Sequence, residues 1–247
     1  MTSETIIEVE NLVKKFGNFV ANDNLTFSVR RGEILGFLGA NGAGKTTAMK
    51  ILCGISAPTS GKVHVAGFDA VRHPEKIKQN IGYMSQKFSL YDDLTIRENF
   101  RLFGGIYGLR RKEIRSRTEE LLNRLDLYEY RNRILHSLPL GWKQKLAFSV
   151  AIMHHPKVVF LDEPTSGVDP VTRRQFWELI YEAAEEGKTI FVTTHYMDEA
   201  EYCDTVSMMV AGRIEAFGEP HELKKKFEVN SVNELFIKLA RNEKAIS

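Results

Sequence analysis

Hydrophobic and polar positions change period several times along the chain, and each change marks a new element. The opening run IIEVENLVKKFGNFVANDNLTFSVRRGEILGFLGA breaks its apolar residues with Asn, Asp and Gly, which predicts successive strands joined by turns. Gly61 to Phe68 (GKVHVAGF) alternates apolar with polar and predicts a further strand of the same small sheet. From Leu94 to about Tyr128 the period becomes helical, with Ile114, Leu121, Leu122 and Leu125 on one face and charges on the other. Val158 to Asp162 (VVFLD) is an almost unbroken apolar run, the pattern of a parallel strand covered on both sides. After Pro170 a helical stripe of Phe176, Leu179, Ile180, Ala183 and Ala184 stops at Gly187. Thr189 to Thr194 predicts the next strand, and VSMMVA with RIEAFG a hairpin across Ala211 and Gly212. From Glu219 onward the pattern is helical, and its stripe of Val232, Leu235, Phe236 and Leu239 is expected to pack on the domain. Strands alternating with helices make this an α/β protein.

Composition narrows the function classes. A chain of 247 residues that is 43% hydrophobic and 27% charged can bury a sizeable core as one large domain or two small ones. Lys and Arg total 34 against 32 Asp and Glu, and a net charge of +2 is too small for a strong grip on nucleic acid. No apolar run approaches the ~20 residues that span a bilayer, so the chain is not expected to form a membrane pore itself. The start MTSETIIEVE has none of the basic, apolar, small-residue order of a secretory signal. Cys53 and Cys203 are isolated and lack metal-ligand spacing, as expected of buried thiols in a reducing compartment.

The strongest local signal is Gly39-Ala40-Asn41-Gly42-Ala43-Gly44-Lys45-Thr46-Thr47, which follows the apolar segment Ile34 to Leu38. It fits G-x-x-x-x-G-K-[ST] between a strand and a helix, the context in which that pattern binds phosphate. Glycines let backbone amides approach phosphate oxygens, and the helix that follows adds unpaired amides and a positive dipole end. Lys45 supplies charge to the β- and γ-phosphates, Thr46 a hydroxyl to Mg²⁺, and Thr47 a donor to the α-phosphate. The expected ligand is a nucleoside triphosphate.

Other residues narrow the chemistry. Asp162 ends the buried VVFLD strand, where a Mg²⁺-holding carboxylate belongs, and Glu163 beside it can act as general base on an attacking water. His195 follows the Thr189 to Thr194 strand and can donate to the γ-phosphate. Gln86, after the candidate strand of IGYMSQ, can reach Mg²⁺ or the lytic water through its amide.

Taken together these residues resemble the nucleotide-binding subunit of an ABC transporter, with the motifs in that family's order. In the resemblance Phe16 matches the aromatic loop that stacks on adenine, where tyrosine is commoner. Gly39 to Thr47 match Walker A, Gln86 the Q-loop, and Asp162 with Glu163 Walker B and the catalytic glutamate. Ser166 to Asp169 match the D-loop and His195 the switch histidine. The resemblance implies a P-loop NTPase core with a mainly parallel sheet, an N-terminal antiparallel β-subdomain and an inserted helical subdomain. It places an ATPase domain over 1–218, with the helical subdomain at about 88–145, and a short helical extension over 219–247. It further implies ATP and Mg²⁺ as ligands, with Thr46, Gln86 and Asp162 at the metal and Glu163, His195 and Gln86 in catalysis. Implied partners are a separate membrane permease and a second ATPase subunit, identical or not, at the cytoplasmic face of the cell membrane.

One segment departs from the pattern. Where the family signature reads LSGGQ or LSGGM, this chain has Leu138-Pro139-Leu140-Gly141-Trp142. The signature serine and glycine amides bind the γ-phosphate held by the opposite subunit. Pro139 removes the hydroxyl and its own N–H, yet fits the first turn of a helix, so the amides near Gly141 remain. In the resemblance Asp169 also contributes to the nucleotide site. Two readings follow: an ATPase that drives transport, of the exporter type, or an ATP-gated clamp whose altered signature slows hydrolysis. A soluble relative acting on DNA or ribosomes is disfavoured, since a single P-loop and a compact Lys45 to Asp162 interval leave no room for a coiled-coil insertion or a second cassette.

Overall fold

The computed structural model describes residues 4–86 and 90–244. Strands β1 (Thr5–Phe16) and β2 (Phe19–Arg30) pair antiparallel across Gly17-Asn18, where Gly17 takes φ +58° to close the turn. Next, β3 (Ile34–Gly39) feeds α1 (Lys45–Leu52). Strands β4 (Ser60–Val65) and β5 (Phe68–Asp69) return to β1, which completes a four-stranded sheet in the order β2-β1-β4-β5. The single strand expected over Gly61 to Phe68 is split in two, because Ala66 (φ +53°) and Gly67 (φ +87°) reverse the chain.

Helix α2 (Pro74–Asn80), which periodicity did not predict, leads into β6 (Ile81–Met84). The helical stretch then comprises α3 (Ile96–Ile106), α4 (Arg111–Arg124), 3-10 turns at Tyr128–Tyr130 and Leu135–Ser137, and α5 (Leu140–Ile152). The expected start of the helical subdomain near residue 88 lies outside the described residues. Thr95 and Glu98 begin α3 with a reciprocal capping box, and the chain breaks between α3 and α4 at Gly108, φ +76°.

The second sheet is built from β3, β6, β7 (Val158–Asp162), β8 (Thr189–Thr194), β9 (Thr205–Val210) and β10 (Arg213–Gly218), in the order β10-β9-β3-β8-β7-β6. Helix α6 (Pro170–Glu185) joins β7 to β8, and a 3-10 segment, Met197–Tyr202, joins β8 to β9. Every pair is parallel except the β9–β10 hairpin. Leu35, Phe37, Val158, Phe160 and Phe191 face a core shared with the first sheet and α1. Ile34, Leu38, Val159, Leu161, Ile190 and Val192 face the core under α5 and α6. Burial on both sides is why these strands read as unbroken apolar runs.

Helices α7 (Pro220–Lys226) and α8 (Val232–Lys244) follow β10. Val232, Leu235 and Leu239 are buried and Phe236 packs beside them, so the terminal stripe docks on the domain. Cys53 and Cys203 are buried thiols, and burial pushes both well above the ordinary range. Among the described residues no helix is long and apolar enough to cross a membrane.

Candidate functional site

Four neighbouring parallel strands, β3, β8, β7 and β6, end on one edge of the sheet. The carboxyl edge of a parallel sheet is where loops converge on a ligand. From it emerge the glycine loop after β3, His195 after β8, Asp162 and Glu163 at β7, and Gln86 after β6.

The glycine loop depends on missing side chains. Gly42 and Gly44 take φ +82° and +100°. A Cβ on Gly44 would lie 2.2 Å from the Ala21 carbonyl oxygen, and one on Gly39 would lie 2.5 Å from that of Met209. Buried Asn22 on β2 donates to the Gly44 carbonyl at 3.1 Å, which ties the loop to the first sheet. Helix α1 begins without a side-chain cap and without an acidic residue in its first turn, so its unpaired amides and dipole remain available to an anion. Lys45 is buried and donates to the carbonyls of Gly39 (2.7 Å) and Ala40 (3.1 Å). Burial pulls its pKa down, against the opposing pull of Glu163 and Asp162. Asn41 stands exposed at the loop, Ala43 is buried and Thr47 is half-buried on α1.

Thr46 Oγ1 donates to Asp162 Oδ1 at 3.2 Å, and Thr193 Oγ1 donates to the same oxygen at 2.6 Å. Burial raises the Asp162 pKa, while the two hydroxyls oppose the rise. A hydroxyl and a carboxylate side by side are hard oxygen donors. They suit Mg²⁺, which keeps most of its shell for water and phosphate. Among the described residues no group of three His, Cys, Asp or Glu is placed to hold a metal.

Glu163 leaves β7 in the left-handed region, φ +50°, its amide donating to both the hydroxyl and the carbonyl of Thr193 at 3.1 Å. That turn separates its carboxylate from that of Asp162. Glu163 is 8% exposed, and its Oε2 accepts from Gln86 Nε2 at 2.9 Å and from His195 Nδ1 at 3.0 Å. Its Oε1 lies 3.7 Å from Lys45 Nζ. The structure therefore gathers Lys45, Gln86 and His195 around the Glu163 carboxylate.

Phe16 sits at the β1–β2 turn, 56% exposed, with Lys14 Nζ 5.0 Å from its ring centroid. Gly141, the second residue of α5, lies against α6, where a Cβ would sit 2.4 Å from Thr172 Cγ2. Asp169 serves as the N-cap of α6: it accepts from the Val171 and Thr172 amides at 3.0 Å and from Thr172 Oγ1 at 2.6 Å. Those bonds hold its carboxyl below the usual range. Pro139 is the N-cap of α5 rather than a residue of its first turn. Sequence reasoning missed Thr193 and Asn22, and also a buried chain in which Thr165 Oγ1 donates to Glu199 at 2.5 Å and Arg173 lies 3.6 Å from the same carboxylate. The TTH tripeptide beside His195 was the available signal for Thr193.

A glycine loop at a carboxyl edge, a buried lysine and a hydroxyl–aspartate pair define a P-loop protein that binds nucleoside triphosphates. The ABC transporter family profile matches residues 22–166. The chain belongs to that family, and within it is an ATP-binding cassette, the ATPase module. It is 49% identical over 221 residues to the probable multidrug ABC transporter ATP-binding protein YbhF of Escherichia coli (strain K12). That match covers 90% of this chain and 38% of YbhF, so the chain spans well under half of that relative. It is 36% identical over 221 residues to the ABC transporter ATP-binding protein NatA of Bacillus subtilis (strain 168), covering 88% of this chain and 90% of NatA. The fold matches cbiO1 from Clostridium perfringens, described as part of the ABC transporter complex cbiONQ. The TM-score is 0.82 at 30% identity, over 91% of this chain and 92% of cbiO1.

Proposed function

We propose that the chain is the ATP-hydrolysing subunit of an exporter whose permease is a separate polypeptide, and that it works at the cytoplasmic face of the cell membrane. The name of YbhF, a probable multidrug transporter component, supports export, and the complex that contains cbiO1 supports a partner chain. In this reading Phe16 stacks on adenine, and the loop from Gly39 to Thr47, including Asn41, Gly42, Ala43 and Gly44, cradles the phosphates. Thr46 and Asp162 hold Mg²⁺, joined by the Gln86 side-chain oxygen. When bound, Mg²⁺ neutralises phosphate charge. Lys45 adds its charge beside the loop carbonyls.

The observation that carries the proposal is the convergence of Gln86, His195 and Lys45 on the Glu163 carboxylate. Gln86 and His195 orient that carboxylate, which accepts the proton of an attacking water. With Nδ1 donating to Glu163, His195 turns Nε2 to the terminal phosphate, where it donates when both ring nitrogens carry protons. Two subunits pair head to tail around ATP, each offering the α5 tip at Gly141 and the Asp169 segment to the other's nucleotide. Hydrolysis reopens the pair, and Gln86 passes the motion to the permease. A second reading, an ATP-gated clamp with slow hydrolysis, draws support from Pro139, which leaves α5 without a side-chain cap.

Steady-state phosphate release with and without the permease tests the choice. The ATPase reading expects Glu163→Gln to lower the rate by about 10²- to 10⁴-fold, the usual worth of a general base. A rate unchanged by Glu163→Gln removes the enzyme reading.

A further inference from the structure

The segment that departs most from the family signature is held in an unexpected way. Pro139 occupies the N-cap of α5 and offers no side chain to the first amides, and a helix start of that kind frays easily. Three consecutive side chains tie down the first turn instead. Trp142 stands edge-on to Tyr130, ring centroids 5.0 Å apart at 67°, and the Arg133 guanidinium lies 4.9 Å from the Tyr130 ring centroid. Lys143 Nζ pairs with Asp92 at 3.0 Å, its side chain only 15% exposed. Buried Gln144 donates Nε2 to the Ser166 carbonyl at 3.1 Å.

Successive helical residues point about 100° apart, so the three tethers leave in three directions and fix both the axis and the rotation of the turn. They reach the 3-10 turn at Tyr128–Tyr130, the loop before α3 and the loop after Glu163. Gln144 also lines a cavity of about 120 Å³ with Gln86, Leu140 and Glu163, so the clamped turn borders the catalytic carboxylate of its own chain. Gly141 is pressed against Thr172, which registers the helix tip on α6. The first amides of a helix have no intrahelical partner, and here these are the amides of Leu140 and Gly141. Those of Trp142 and Lys143 already bond to the Pro139 carbonyl at 3.1 and 3.2 Å.

We propose that Trp142, Lys143 and Gln144 form a clamp that stands in for the missing cap. Within it Trp142, braced by Tyr130, is a positioning residue that presents the Leu140 and Gly141 amides to the terminal phosphate held by a second copy of the chain. The inference rests on the head-to-tail pairing proposed above. It accounts for how a signature without its serine retains a rigid tip.

The test uses the full chain carrying Glu163→Gln, which slows turnover. Association of two copies is followed by sedimentation as Mg·ATP is titrated, and binding of a fluorescent ATP analogue is measured separately on dilute monomer. Trp142→Ala is expected to raise the half-saturating Mg·ATP for association about tenfold, the upper end of the worth of an aromatic edge pair. Analogue binding should change by less than about twofold, because the P-loop is untouched. Trp142→Phe should recover most of the association, since a ring at that position keeps the contact with Tyr130. Association of Trp142→Ala at the parent's Mg·ATP concentration overturns the clamp, as does a matching loss of analogue binding or a Phe variant as poor as Ala. A parent that stays monomeric overturns the pairing itself, and the two failures are distinguishable.

Discussion

His154 provides a quantitative test of how the strand that delivers Gln86 is held. It lies in the turn after α5, stacked on Tyr107 with ring centroids 3.8 Å apart and planes at 16°. Its Nε2 meets the Ile81 carbonyl at 3.0 Å at the start of β6. A carbonyl only accepts, so Nε2 carries the proton and Nδ1 is the bare nitrogen, buried with no partner among the described residues. Protonating Nδ1 would put a charge in that apolar setting, and burial pushes the imidazole down to about 4, with a smaller contribution from His155 and the Ile81 bond opposing. The unfolded chain, with a value near 6.5, takes up the proton first as pH falls. Stability from this group is therefore present above pH ~6.5 and is lost as pH falls toward 4. Between about pH 7 and about pH 5 the loss is about 2 kcal/mol, rising to about 3 kcal/mol once the folded form protonates too. Urea unfolding at both pH values, on the parent and on His154→Gln, measures it. Glutamine keeps a donor for Ile81 but does not titrate, so the parent should lose about 2 kcal/mol more than the variant. Equal losses would refute the assignment of Nδ1 as a buried, unpaired nitrogen.

Three further outcomes follow from the geometry. Gly44→Ala forces a methyl onto the Ala21 carbonyl, whereas Gly42→Ala meets open space and carries only the backbone strain of φ +82°. Titration calorimetry should show Mg·ATP binding weakened by about 10- to 100-fold for the former, and by clearly less for the latter. Arg173→Leu leaves the fully buried Glu199 without its cation and Tyr196 without the guanidinium 4.1 Å from its ring centroid. Chemical unfolding should report a loss of about 3–5 kcal/mol, and Glu199→Gln in the same background should restore part of it. Asn99, fully buried on α3, accepts from the Tyr91 amide at 2.8 Å and donates to the carbonyls of Tyr91 and Thr95 at 3.0 and 3.1 Å. Asn99→Leu should cost about 3 kcal/mol in a denaturant titration, because buried backbone groups lose their partners.

The parts of the fold legible in the sequence were those dictated by local rules. Strands covered on both sides must be apolar throughout, so β3, β7 and β8 stood out. The glycine loop stood out because only residues without a Cβ fit between Ala21, Met209 and the start of α1. Helix α2 did not, since in seven residues it buries only Ile77 and leaves no period to detect. The break between β4 and β5 was hidden because Ala66 is an unusual residue at positive φ. Gln86, Glu163 and His195 were named from their positions after strands, but their meeting was not visible. Gln86 and Glu163 are 77 residues apart, and only sheet order brings them together. Asp169, expected at the nucleotide site, has its carboxylate bonded to the first amides of α6 as the N-cap of that helix, a role its position before Pro170 did not bring out. Trp142 turns inward to Tyr130, a contact across the signature segment that no periodic pattern encodes.

Paired subunits with nucleotide at their seam are the central claim, and sedimentation velocity of the Glu163→Gln chain under saturating Mg·ATP tests it most directly. The account predicts a dimer that returns to monomer when nucleotide is removed. A species that remains monomeric at saturation, even with the permease supplied, would contradict it.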